Sequence, residues 1–401
     1  MPNIIDRQLE LELATPGVVS KTIASENIVA ESMVIERSIC DGNFKLGGCI
    51  ATSFEIQLID VPPDTVQGKR ITVRAYETYS TGNVVCPNIN LCPSNNLYPS
   101  KQTTEKKVRY FFVGTVDTAE RQKNRQIIKI IAYDNLYTLG SNNVYSWFQS
   151  FAYYASNAKI PDLLSGLFSA ATRLANLPYR VRYKDNGNHN VSLHLNSKLV
   201  ESNYKGKLQA SELLRAVCEL TNCWGYVNEE GKFDVLDVKE NSTTVNVQVY
   251  EDLEFEEYVT QTFDGTIFTY GDSQRKIYGR ASLFERPSCY YCDDNAITNC
   301  CNDSETMTTI IKNIADTGKL LSSSYCYRPF TLVLDDNDSA GINLGTKIKI
   351  ATGFGASDVQ YVESFVFADK ITGIINLKHE FKATGDQILT GNDQEEEVTQ
   401  Q

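Results

Sequence analysis

The chain has 401 residues, with 38 Lys and Arg against 50 Asp and Glu, for a net charge of −12. An acidic protein gains little from counterion release on phosphates, which argues against a dedicated nucleic-acid binder but leaves transient passage of DNA along an acidic lumen open. No apolar run reaches the roughly 18 residues that a bilayer-spanning helix needs, so no stable membrane insertion is expected.

At this length one core rarely suffices, and several domains are expected. Tyrosine is abundant (22), methionine is scarce (3) and short Val/Ile/Thr-rich runs recur, so the fold should be β-rich. Residues 1 to 26 read as a lead-in punctuated by Pro2, Pro16 and Gly17. Asp6, Arg7, Glu10 and Glu12 interrupt its apolar residues, a pattern unlike a signal peptide, so synthesis and initial retention in the cytoplasm are expected. Leu9, Leu11 and Leu13 alternate with Glu10, Glu12 and Ala14, which predicts a strand. Its place is expected at a sheet edge, open to another element or another subunit.

Residues 27 to 139 carry the clearest β signal. Phe54, Ile56 and Leu58 alternate with Glu55, Gln57 and Ile59, while Phe111, Val113 and Val116 form a second apolar strand. Gln126 to Tyr133 (QIIKIIAY) reads as a third strand buried on both faces. The whole predicts a closed or nearly closed antiparallel β unit. Tyr76 to Lys106 breaks the pattern with Asn, Pro, Cys86 and Cys92, and reads as an inserted loop. It is either a contact for a neighbouring component or a solvated excursion. Its two cysteines are close enough in sequence to bridge.

Residues 140 to 244 change period and read as a small α+β domain. Ile160, Leu163, Leu164, Leu167, Phe168, Ala171 and Leu174 recur at helical spacing, with Pro161 in the first turn. Ser211 stands as an N-cap before Leu213, Leu214, Val217 and Leu220, with no capping box because Leu214 occupies N3. Tyr179 to Leu199 reads as short strands around an NGNHN turn. Trp224 to Val227 and Phe233 to Val238 predict a hairpin across Glu229-Glu230-Gly231. Residues 245 to 390 return to strands (TIFTYG, KIYGRA, FTLVLD, KIKIAT, ITGIINLKHEF), with a helical interlude at Met307 to Ile314. Residues 391 to 401 form an acidic tail that cannot bury a core.

The sequence assigns no catalytic, cofactor-binding or metal-binding residue. The three histidines lie outside any nucleophile or zinc-protease motif. His189 and His194 flank an Asn-rich turn and read as surface residues, and His379 reads as a packing or pore residue in an alternating strand. Asp335, Asp336 and Asp338 resemble a calcium loop but lack its glycine and terminal glutamate, so a charged turn is preferred. Glu254, Glu256 and Glu257 read as a solvated face. Of eleven cysteines, Cys40, Cys49, Cys218 and Cys223 sit inside apolar patterns as free thiols. Cys289, Cys292, Cys300 and Cys301 leave three readings open: a structural zinc, strained by the adjacent pair, loose thiols, or disulfides formed after lysis.

Four motifs follow one another between Asn27 and Leu139: E-S-M-x-I-x-x-S-I-C, F-x-L-G-G-C-x-A-T-S-F-E-I, F-x-G-T-V-D and I-x-A-Y-D-N-L-Y. In that order they resemble the baseplate-hub family of bacteriophage tails. That family includes the N-terminal hub part of siphophage tail-associated proteins and is similar to the hubs of contractile tails and type VI secretion. ITGIINLKHEF resembles its closing strand. The resemblance implies two similar antiparallel β-barrel domains, residues 27–139 and 245–390, flanking the α+β domain. It further implies a homotrimeric, non-enzymatic virion protein at the tail tip. Such a ring would adapt the hexameric tail tube, close it, and open for tape measure and genome. Its partners would be the tail tube or distal tail protein, the tape measure protein, and spike or fibre proteins. The alternatives are a tail-associated peptidase acting on the cell wall, for which the chain stops short of a further domain, or the hub of a contractile bacteriocin or injection apparatus. A carbohydrate-binding β protein would need more exposed aromatics than the Tyr290-Tyr291 pair.

Overall fold

Leu9, Leu11 and Leu13 all turn into the core from the first strand, as their alternation predicts. The computed structural model describes residues 4–15, 18–40, 47–80, 104–123, 126–139, 142–154, 157–170, 179–182, 192–221, 223–237, 244–255, 265–271, 274–279, 289–292, 294–303, 307–309, 330–351 and 361–386. The first third forms β1 (Ile4–Thr15), β2 (Val18–Ile23), β3 (Val34–Ser38), β4 (Ser53–Ile59), β5 (Arg70–Ser80), β6 (Thr104–Arg121) and β7 (Ile127–Tyr133). The middle holds α1 (Asn135–Leu139), α2 (Tyr145–Tyr154), β8 (Ala158–Lys159), α3 (Ile160–Ala170), β9 (Tyr179–Arg182), β10 (Ser192–Leu193), α4 (Ser197–Tyr204), α5 (Ala210–Thr221), β11 (Cys223–Val227) and β12 (Phe233–Asp237). The last third adds β13 (Thr244–Val247), β14 (Asp252–Phe255), β15 (Gly265–Tyr270), β16 (Gln274–Gly279) and β17 (Cys289–Cys292). It ends with β18 (Phe330–Asp335), β19 (Lys347–Ala351), β20 (Tyr361–Thr372) and β21 (Lys378–Asp386).

The β-rich α+β class is as expected; among the described residues, strands expected of both barrels lie in one sheet and no closed barrel is seen. Thirteen of them share one sheet in the order β14-β18-β21-β20-β3-β4-β7-β6-β5-β1-β2, with β19 beside β20 and β13 beside β19. Among the described strands this path does not close on itself. The reason lies in β20. Its 12 residues pair with β21 along one edge, while the other edge serves β19 over residues 361–365 and β3 over residues 368–372. A register shift between Val366 and Ala368 marks the change of partner. One strand long enough for two neighbours thus carries the sheet from the last third of the chain into the first. β15, β16 and β17, which the sequence groups with this β unit, form a sheet of their own.

Other expectations shift for local reasons. β1 is no edge strand, since β2 and β5 flank it on both sides. β7 alternates between buried and half-buried residues, so only one of its faces is fully covered. The break between β5 and β6 is narrower than 76–106, because the ladder continues to Ser80↔Thr104. Residues 81–103, with Cys86 and Cys92, lie outside the described residues, as do His189, Glu256, Glu257 and the tail 391–401. ITGIINLKHEF is a hairpin and not a single strand: Gly373, at φ +91°, reverses the chain between β20 and β21. The Glu31 carboxylate accepts the Ile374 N–H at 2.9 Å and the Ile375 N–H at 3.3 Å, which ties this turn to the first motif of the chain.

In the middle segment α2 and α4 are helices that the sequence pattern does not predict. Asn143 Oδ1 accepts the Tyr145 N–H at 3.0 Å and Asn196 Oδ1 accepts the Lys198 N–H at 3.0 Å, so each starts on an Asn. α5 begins at Ala210, ahead of the expected Ser211 cap. Glu212 accepts the Gln209 N–H at 3.2 Å, half of a capping box. The β11–β12 hairpin is as expected, and β9 joins β12 in parallel. Asp134 precedes α1, taking the Thr52 N–H at 2.7 Å and the Leu136 N–H at 2.8 Å. Burial pushes its carboxyl up to about 7 against these donors. Two buried apolar clusters result, one inside β1–β7 that also takes Ile371 and Leu377, the other under the helices and the later strands. No described helix is long and apolar enough to cross a membrane.

Candidate functional site

Charged residues occupy buried positions of several strands, and the register brings them together. Arg7 follows the alternation of Leu9 and Leu11 on β1, and Arg37 that of Ile35 on β3. Glu77 follows Val73 and Ala75 on β5, Asp369 precedes Ile371 on β20, and His379 precedes Phe381 on β21. Cross-strand pairing sets Arg7 opposite Glu77 and Arg37 opposite Asp369. Arg109 arrives from β6, Glu229 from the turn between β11 and β12, and Asp336 from the turn after β18. Every third of the chain contributes.

The contacts are dense. Arg7 Nε donates to Glu77 Oε1 at 2.8 Å, and its Nη2 to Asp336. Arg109 donates to the other Asp336 oxygen at 2.6 Å and lies 3.8 Å from Glu77, which also accepts from the Tyr79 hydroxyl. Arg37 is shared between Glu229 and Asp369. His379 joins the two groups of contacts: its Nδ1 is 3.2 Å from Asp369 and its Nε2 is 3.3 Å from Asp336. A neutral imidazole has one donor and one acceptor nitrogen, whereas ionised carboxylates only accept. Facing a carboxylate with each nitrogen, His379 is therefore an imidazolium.

Charge counting agrees. Three arginines face four carboxylates, and the proton on His379 makes the cluster neutral. Burial opposes the cation on His379, yet Asp336 and Asp369 raise its proton affinity above the ordinary value. Burial likewise opposes charge on Asp336 and Asp369. His379 and Arg109 hold the first well below the usual carboxylate range, and Arg37 with His379 lowers the second. Arg37 is held charged by Glu229 and Asp369 despite its burial, and Glu229 is lowered in return, again against burial. Burial and Glu77 push the Tyr79 phenol up to about 12. A cavity of about 390 Å³ opens beside the cluster, with Tyr79, Arg109, Glu229 and His379 in its wall. Both nitrogens of His379 are committed to carboxylates of the cluster. What the cluster supplies is a fixed geometry between strands remote in sequence.

The residues singled out in the sequence fare unevenly. His379 is correctly placed on an alternating strand, but it is a buried ion and not a simple packing residue. Of the Asp-rich turn only Asp336 points inward, while Asp335 and Asp338 are exposed. Glu254 is exposed on β14, and His194 lies half-exposed 3.9 Å from Asp303. Cys292, Cys300 and Cys301 are buried thiols. Burial pushes Cys301 up to about 12 and raises Cys300 as well. The side chain of Cys289 lies outside the described residues, and among those described no three His, Cys, Asp or Glu are grouped to hold a metal ion. Arg7, Arg37, Glu77, Arg109, Glu229 and Asp369 were assigned to no site from the sequence. For all but Glu229, which lies in a turn, the signal was a charge standing in step with buried apolar neighbours on a strand.

The fold that holds this cluster is similar to that of two solved tail proteins. The tail protein from Neisseria meningitidis MC58 matches it with a TM-score of 0.53 at 9% identity, over 95% of this chain and 96% of that one. The 43 kDa tail protein of prophage MuSo2 from Shewanella oneidensis matches with a TM-score of 0.51 at 10% identity, over 94% and 97%. At such identities the likeness is one of fold, and it meets the resemblance carried by the four sequence motifs. No protein-family model matches the chain, and no curated protein matches its sequence.

Proposed function

We propose that this chain is a structural subunit of a phage-tail baseplate hub, located in the virion at the tail tip and without enzymatic activity. Three copies form a ring that adapts the hexameric tail tube, closes it, and opens for tape measure and genome. The tube or distal tail protein contacts one face, and spike or fibre proteins the other. The observation that carries this reading is the match in fold to two tail proteins over nearly the whole of all three chains. The charge cluster supports it too, since a ring under axial load needs strands from different parts of each subunit held in one geometry. The net charge of −12 suits a lumen that DNA must leave without sticking.

Antibodies against the purified chain, applied to tailed particles that incorporate it, test the location. Gold label at the distal tail end is expected. Label along the tube or on the capsid would overturn the reading.

A further inference from the structure

The turn after β18 is closed by its own hydrogen bonds and lines the cavity beside the charge cluster. The Asp338 and Ser339 N–H groups donate to the Asp335 carbonyl at 3.0 and 2.9 Å. Ser339 Oγ donates to the Asp336 carbonyl at 2.9 Å, and the Asn343 N–H donates to Thr346 Oγ1 at 3.0 Å. Asn337 and Asn343 stand at the two ends of this turn, exposed, and both line the cavity. Among the described residues neither side-chain amide has a hydrogen-bond partner.

The rest of the wall is polar and already fixed. Arg109, 34% exposed, reaches both Asp336 and Glu77 through Nη1 alone, which leaves its other N–H groups. Glu229, 35% exposed, gives Oε1 to Arg37. Arg37 is only 6% exposed and lines the same cavity, and its Nε–H has no hydrogen-bond partner among the described residues. A buried N–H without an acceptor carries a desolvation cost. Ile4 and Ile342 add an aliphatic patch. The volume of about 390 Å³ falls in the range of small-molecule sites and is too small for a folded segment of another chain.

We propose that this cavity is a binding site for a neutral saccharide unit, held by hydrogen bonds to Asn337, Asn343, Arg109 and Glu229. Charge decides against an ionic ligand. Three arginines and the protonated His379 already balance four carboxylates, so a further charge would stand uncompensated in a largely buried site. The wall offers arginine donors, a carboxylate acceptor and amides that do both. A sugar hydroxyl donates and accepts at once, and the C–H groups of its ring fit against Ile4 and Ile342. Arg109 and Glu229 are held by their ion pairs before any ligand arrives, which lowers the ordering cost of binding. Recognition by hydrogen bonds inside a pocket needs no exposed aromatic platform. The inference goes beyond the tail reading and does not depend on it, since sugar binding is measured on the isolated chain and location by gold label.

The test is saturation-transfer difference NMR on the full chain. D-glucose, D-galactose, N-acetyl-D-glucosamine and L-rhamnose are the probes, with sodium acetate and glycylglycine as ionic controls. Transfer to at least one sugar is expected, at millimolar affinity, and none to either control. The double substitution Asn337→Ala, Asn343→Ala should weaken sugar binding about tenfold or more. The unfolding temperature should stay unchanged, because neither amide holds the fold. Should that chain fail to fold, Ala340→Trp, at an exposed position of the same wall, fills the cavity and should abolish transfer. Transfer to none of the four sugars, transfer to a control equal to or above that to the sugars, or sugar binding unchanged in the substituted chain would each overturn the proposal.

Discussion

Asp369 has no exposed side-chain surface and serves Arg37 and His379 at once. Replacing one member of a buried ion network leaves its partners charged and unpaired. Asp369→Ala should therefore cost about 3–5 kcal/mol, read as a lower urea midpoint at unchanged slope. A loss within the few tenths of a kcal/mol typical of surface positions would contradict the cluster as drawn. The cluster also sets a pH dependence. The proton affinity of His379 is raised in the folded protein, so its contribution is complete below about 6.5 and fades as pH rises through the folded value. Asp336 and Asp369 are lowered, so theirs is present above about 3.9 and fades as acid reaches their folded values. Stability should peak between these limits. His379→Gln should flatten the decline on the alkaline side, and an identical decline in the two proteins would argue against the imidazolium.

At the scale of elements, β20 is the joint between the first and last thirds of the chain. Ile371 sits on it opposite Ile35 of β3 and is 1% exposed, inside the cluster formed mostly by β1–β7. Ile371→Ala should cost about 2–5 kcal/mol through the lost burial and the cavity left. Chemical denaturation measures this, and a neutral result would mean that the joint is not packed as described. Much at this scale was legible in the sequence. The period of two in β1 and β4, the helical spacing in α3 and α5 and the hairpin after α5 all record a local contrast between buried and exposed positions. What the sequence concealed depended on distant partners. The helix α2 (YSWFQSFAYY) is rich in aromatics, which give up side-chain freedom in a helix, and it is held by burying Phe148 and Ala152. The two partners of β20, and the meeting of Arg7, Arg37 and Asp336 with His379, follow from register between strands far apart along the chain. No local window contains them.

For the whole molecule, one sheet running through both ends of the chain makes the first and last strands mutually dependent. Their amides should lose protection against hydrogen exchange together, and separate loss from β4 and β18 would show two independent units. On the proposed hub reading, a closed ring at the end of a hexameric tube would have threefold symmetry, with copies related by rotation. The most direct test is the mass of the purified protein under native conditions. The hub reading predicts a trimer of about 135 kDa, three times the 44.9 kDa chain. A dimer or tetramer that persists on dilution would contradict it.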